Sequence, residues 1–138
     1  MKRFESIDHP SDIGIVAYGK DQKELFENAA CGMFSLMTDL KKVKDKDNIE
    51  VKVEGDSKES LLVNWLNELI FLEDSKKSIF CKFNISKAEN KLIIAKVRGE
   101  KIDPARHAMA RSIKAATYNQ LNINEKGNLL SARIIFDV

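Results

Sequence analysis

The sequence predicts an α+β domain in which two main helices pack on a largely antiparallel or mixed β-sheet. Three observations carry this. Two segments, DQKELFENAACGMFSLM and LLVNWLNELIFLEDS, repeat apolar residues at helical spacing. Several others alternate apolar and polar residues with a period of two. The later alternating segments follow one another across short turns, as hairpin-connected strands do.

A strand over residues 2–8 and another over 13–18 open the chain, the second alternating Ile13, Ile15 and Ala17 against Gly14, Val16 and Tyr18. Asp21 is placed to cap the first helix, with Glu24 completing a capping box. Leu25, Phe26, Ala29, Ala30, Met33, Phe34 and Met37 form its apolar stripe, which reads as core. Ile49, Val51 and Val53 then mark a half-buried strand ending at Gly55-Asp56. Asp56 or Ser57 caps the second helix, which runs through Trp65 to Leu72 with Glu68 as an exposed polar residue.

Residues 80–86 and 91–98 read as the arms of a hairpin with its turn near Glu89-Asn90, closed by Gly99. Asp103 and Pro104 suit the cap and first position of a short helix running into ARHAMARS. Two strands about the NEKGN turn finish the chain, with KAAT belonging either to the first of them or to the preceding helix. No repeat or linker interrupts the 138 residues, so a single domain spanning 1–138 is expected.

Composition removes several classes. No apolar run approaches the roughly twenty residues of a membrane span. The N-terminus MKRFESIDHP lacks an apolar signal segment, which makes a cytoplasmic location the expectation. Cys31 and Cys81 lack C-x-x-C spacing and sit among apolar neighbours, so both read as reduced, mostly buried thiols. A net charge of +2, with lysines interleaved by acids, argues against direct, tight nucleic-acid binding. Glycine-rich phosphate loops, G-x-S-x-G and paired-histidine zinc motifs are absent from the sequence.

What remains is three groups of polar residues. IDHPSDIGI sets Asp8, His9 and Asp12 in a bend whose Pro10, Ser11 and Gly14 a turn alone explains, whereas the three polar residues together read either as a solvated turn or as a site. The ending IIFDV places Asp137 beside the carboxylate of Val138. Such a pair is either a hydrated terminus or oxygen ligation for a hard cation such as calcium, magnesium or manganese. Arg106, His107, Lys114, Thr117 and Tyr118 form the third set, and Lys114 taken alone reads as a solvated lysine.

These segments, HPSDIGI, DQKELFENAACGMFSLM, LLVNWLNELIFL, RGEKID, RHAMARSIKAATYNQL and ARIIFDV, taken in order resemble the archease family, small activators of RtcB-type RNA ligases. The resemblance covers nearly the whole chain. It departs at Pro10-Ser11, where Thr-Ala is commoner, and at Asn119, where histidine is common. It implies a non-enzymatic protein that promotes guanylylation of the ligase's active-site histidine, supports multiple turnover in tRNA splicing and broadens the ligase's nucleotide use. It also implies a divalent cation, calcium first, held by Asp12, Asp137 and Val138, with His9 and Asp8 as neighbours that orient the ligands. Lys114 corresponds to a lysine that matters for activation, and Arg106 and His107 fall in a neighbouring recurrent element expected to meet the partner.

Two other functions compete with this. A metal-dependent hydrolase or phosphotransferase centred on Asp12 and Asp137 lacks a visible nucleophile with a paired base. A nucleic-acid or chaperone-like binding module lacks a basic stripe with interleaved aromatics.

Overall fold

A computed structural model of the chain describes residues 2–9 and 12–138, with residues 8 and 9 described by their backbone. Eight strands, two α-helices and one 3-10 turn (Leu40–Lys42) are present among these residues: β1 (Phe4–His9), β2 (Asp12–Gly19), α1 (Gln22–Met37), β3 (Asp47–Glu54), α2 (Lys58–Lys76), β4 (Ser78–Ala88), β5 (Leu92–Lys101), β6 (Ala115–Ala116), β7 (Asn122–Lys126) and β8 (Leu129–Asp137). The strands form two sheets rather than one. One runs in the order β1-β2-β8-β6, with β7 also paired to β8, and the other in the order β3-β5-β4. Every pairing is antiparallel.

The alternation read from β2 decides which face of the first sheet is buried. Ile13, Ile15 and Ala17 pair with Phe136, Ile134 and Ala132. Directly opposed residues share a face, and all but the half-buried Ile13 belong to the core. Both helices touch both sheets: α1 packs on β1, β2, β8 and β4, and α2 on β3, β4, β5 and β6. One continuous core results. Trp65 is fully buried at its centre, and its indole N–H donates to the Phe26 carbonyl at 3.0 Å, so burial of the ring leaves no orphaned donor. No described helix is long and apolar enough to cross a membrane.

The helix starts follow the caps with one difference. Asp21 accepts from the Glu24 N–H at 2.8 Å, but the Glu24 carboxylate accepts from Lys20 N–H and not from the cap itself. The reciprocal box forms instead at Ser57, which exchanges backbone and side-chain bonds with Ser60. Glu68 is half-buried, against the expectation of an exposed residue, while Cys31 is buried and Cys81 half-buried against the core.

Gly14 lies in β2, as the strand over 13–18 places it, where a Cβ would collide with the Ile134 carbonyl oxygen. Two sequence expectations are corrected. Gly99 does not end the hairpin but sits within β5, opposite both Phe80 and Asp47, where a Cβ would collide with the Ile79 carbonyl. The helix from Asp103 stops after one turn. Arg106 and His107 N–H both donate to the Asp103 carbonyl, yet Ala108 O then accepts from the Thr38 hydroxyl at 2.9 Å and Ala110 N–H donates to Met37 O at 2.8 Å. Bonds to the end of α1 replace those a helix needs to propagate. KAAT accordingly joins the sheet as β6, and Gly127 takes the positive φ of the final turn, at 63°.

Gly99→Ala is expected to lower stability by about 1–3 kcal/mol, the usual cost of overpacking, because the atom in the way is backbone and cannot rotate aside. Urea unfolding of the two proteins measures it. Equal midpoints would show that β4 and β5 separate there at no cost.

Candidate functional site

The first sheet brings the two ends of the sequence together at one edge. Ile13 pairs with Phe136, so the next step along both strands sets Asp12 against Asp137. His9 is the register partner of Asp12 on the other side, and Ala115 that of Asp137. The row across four strands thus reads His9, Asp12, Asp137, Ala115. Lys114 closes it, donating its backbone N–H to the Asp137 carbonyl at 2.8 Å.

Asp12 is half-buried, whereas Asp137, Lys114 and Val138 are exposed, Val138 by 53%. Neither aspartate has an ion-pair partner among the described residues. No three His, Cys, Asp or Glu side chains cluster among those residues. Asp12 and Asp137 contribute oxygen donors of the kind a hard cation takes. Asp8 and His9 side chains, with Pro10 and Ser11, lie outside the described part.

Asn67, which sequence reasoning passed over, fixes β6 in place. Its side-chain amide donates to Ala116 O at 3.3 Å and its carbonyl accepts from Ala116 N–H at 2.7 Å. A single α2 side chain so supplies both bonds that another strand would make. Thr117 is held similarly, its hydroxyl donating to Ile135 O at 2.8 Å. Tyr118 beyond it is exposed.

Arg106 and His107 belong elsewhere in the structure. The Glu100 carboxylate, buried with Arg106 and His107 around it, accepts from Arg106 Nη2 at 2.7 Å and Nη1 at 3.1 Å. It also accepts from Lys44 N–H at 2.8 Å and faces His107 Nε2 at 3.0 Å. His107 Nδ1 accepts from the Asp103 N–H, so the hydrogen of a neutral ring sits on Nε2 and points at Glu100. His107 is 2% exposed and offers no surface to a partner, which corrects the expected contact role. Arg106 keeps some exposure but spends its fork on Glu100 and on Asp103, 3.4 Å away. The pair ties the irregular segment 102–114 to β5, and that segment delivers Lys114 to Asp137. Glu100 was the residue missed: an acid within RGEKID carries no pattern that separates a buried carboxylate from a solvated one.

The Arg106 hydrogen bonds, then the Lys44 N–H, hold the Glu100 carboxyl down to about 2 from its usual 4.5. A carboxyl lowered on folding adds stability that is complete above its unfolded value and fades as pH falls toward its folded one. The melting temperature of the unsubstituted protein should therefore exceed that of Glu100→Gln at neutral pH, and the gap should narrow between about pH 5 and pH 2. Parallel melts across that range test this; a constant gap would show that Glu100 stays ionised no more readily than in the unfolded chain.

Comparison with known proteins matches this architecture to one family. Residues 4–138 match the Archease protein family (MTH1598/TM1083). The chain is 40% identical over 139 residues to protein archease of Sulfurisphaera tokodaii, covering 100% of both chains. It is 36% identical over 141 residues to that of Methanosarcina mazei, covering 99% of this chain and 97% of the other. The solution structure of Methanobacterium thermoautotrophicum protein 1598 superposes with a TM-score of 0.81 at 35% identity over 100% of both chains. The crystal structure of a Thermotoga maritima archease, described as a possible chaperone, shares the fold with a TM-score of 0.66 at 23% identity, covering 97% and 96%. The chain belongs to the archease family.

Proposed function

We propose that this protein is a non-catalytic activator of an RtcB-type RNA ligase, promoting guanylylation of the ligase's active-site histidine and multiple turnover in tRNA splicing. Family membership supports the reading, and one observation carries it: the sheet register gathers Asp12, Asp137, Val138 and Lys114 on an open edge. Such an edge can be offered to another protein's active site. It presents carboxylates and an ammonium group without enclosing a substrate. On this reading Lys114 meets ligase or nucleotide phosphate, and the segment anchored by Glu100, Arg106 and His107 positions it.

The same edge is proposed to bind one divalent cation, calcium first, with magnesium or manganese as alternatives. Asp12, Asp137 and the Val138 carboxylate would hold it, and His9 and Asp8 are near in register. When bound, the cation offsets the mutual repulsion of these carboxylates and can neutralise phosphate charge. A hydrolase or phosphotransferase centred on Asp12 and Asp137 is the competing reading; the protein alone, supplied with metal and GTP, distinguishes the two.

Single-turnover guanylylation of the cognate ligase, with GTP and then ATP, should accelerate when this protein is added. Lys114→Ala should melt like the unsubstituted protein yet lose most of that acceleration. No acceleration overturns the activator reading, and GTP hydrolysis that disappears in Asp12→Ala puts the hydrolase in its place.

A short extension after Val138 converts its carboxylate to an amide and should weaken calcium binding markedly, as Asp12→Asn and Asp137→Asn should, whereas an N-terminal extension changes it little. Calorimetric titration reads the affinities. Equal affinity with and without the C-terminal extension removes Val138 from the ligand set.

A further inference from the structure

Three of the four large apolar side chains exposed among the described residues border β6. Phe71 is 61% exposed on α2, Tyr118 is 58% exposed just past β6, and Val138 is 53% exposed beside the β6 partner Asp137. A soluble domain rarely leaves large apolar side chains grouped without a use for them. Of these, Phe71 lines a groove of about 490 Å³ between the C-terminal half of α2 and the segment leading into β6, together with the apolar Ile70 and Ile113. Asn67 has already taken both hydrogen-bonding groups of Ala116, so a partner strand cannot pair with that residue of β6. The groove therefore offers side-chain pockets and not a ladder.

The charges are divided between its walls. Glu73 and Asp74 stand on the α2 side, and Lys114 on the other. Burial, then Asp74 beside it, pushes the Glu73 carboxyl up. A cation placed beside these acids would favour their charged forms and offset that rise. Among the described residues Asp74 is otherwise met only by the exposed Lys77, at 3.6 Å. Ala115 is common to the groove and to the carboxylate edge, since it lines the first and pairs with Asp137 in the second.

We propose that this groove docks the ligase, receiving a segment that presents an apolar side chain against Phe71 and Ile113 with an arginine or lysine beside it facing Glu73 and Asp74. The inference rests on the activator reading and adds the surface that brings the partner to the edge. Docking here sets the bound segment next to Lys114, Asp137 and Val138. An apolar anchor seated in a pocket carries much of an interface's binding energy, and complementary charge beside it adds specificity and steers association.

Phe71→Ser and Asp74→Lys change exposed positions, so both variants should fold and bind calcium as the unsubstituted protein does. Affinity for the cognate ligase, measured by biolayer interferometry, should fall about tenfold or more for each. Asp74→Lys should also reduce the salt dependence of binding. Unchanged affinity in both variants, with ligase activation by the unsubstituted protein intact, overturns the groove and leaves the activator reading standing. Phe71-dependent binding without any activation overturns that reading and keeps the groove. A concentration-dependent dimer that Phe71→Ser abolishes, without loss of ligase affinity, assigns the groove to a second copy of this chain and overturns the proposal.

Discussion

Pairing of β2 with β8 is the constraint on which the rest depends. It joins an N-terminal strand to the last one, and its register is fixed by which face is buried. Ile15 against Ile134 and Ala17 against Ala132 lie in the core. Sliding one strand by a single residue would send these to the opposite face and bring Ile135 and Arg133 inward. Fully burying one aliphatic side chain is worth about 1.5–3 kcal/mol, so such a slip is strongly disfavoured. The functional consequence follows from the same register: Asp12 and Asp137, 125 positions apart in sequence, become neighbours because Ile13, after the first, pairs with Phe136, before the second.

Placement of Lys114 is a second problem, and polar contacts solve it. Residues 102–114 cross from one sheet to the other without a helix of their own. Ala108 and Ala110 bond to the end of α1, and the segment's one turn is pinned at Glu100. A buried carboxylate is costly unless its lone pairs are occupied. Here two guanidinium nitrogens, a backbone N–H and an imidazole N–H occupy them. No described buried side-chain nitrogen or oxygen is left without a partner. Asn67 completes the arrangement from the α2 side by holding Ala116 at both backbone groups.

The groove and the carboxylate edge are therefore two products of one construction. α2 supplies Asn67 to fix β6 and, on the next turns, Phe71, Glu73 and Asp74 to face what lies beyond it. Strand pairing holds Asp12 and Asp137 and the Asp137 carbonyl holds the Lys114 backbone, so a partner would meet a largely prearranged surface and lose little of its binding energy to ordering this protein.

Much of the fold was legible because periodicity reports burial directly. The α1 and α2 stripes, their caps at Asp21 and Ser57, the alternation of β2 and β3, and the hairpin turn near Glu89 all appear where the sequence puts them. The individual residues Asp12, Asp137 and Lys114 were also legible as candidates, through resemblance more than through chemistry. Tertiary structure alone decided their adjacency, since strand order is a global property that no local window contains. It likewise decided that Gly99 continues a strand, that the turn at Asp103 ends early, and that His107 is buried. Each depends on a distant partner, respectively Ile79, the end of α1, and Glu100. Local propensity yields wherever a long-range hydrogen bond or close backbone contact offers the chain more than one further helical turn would.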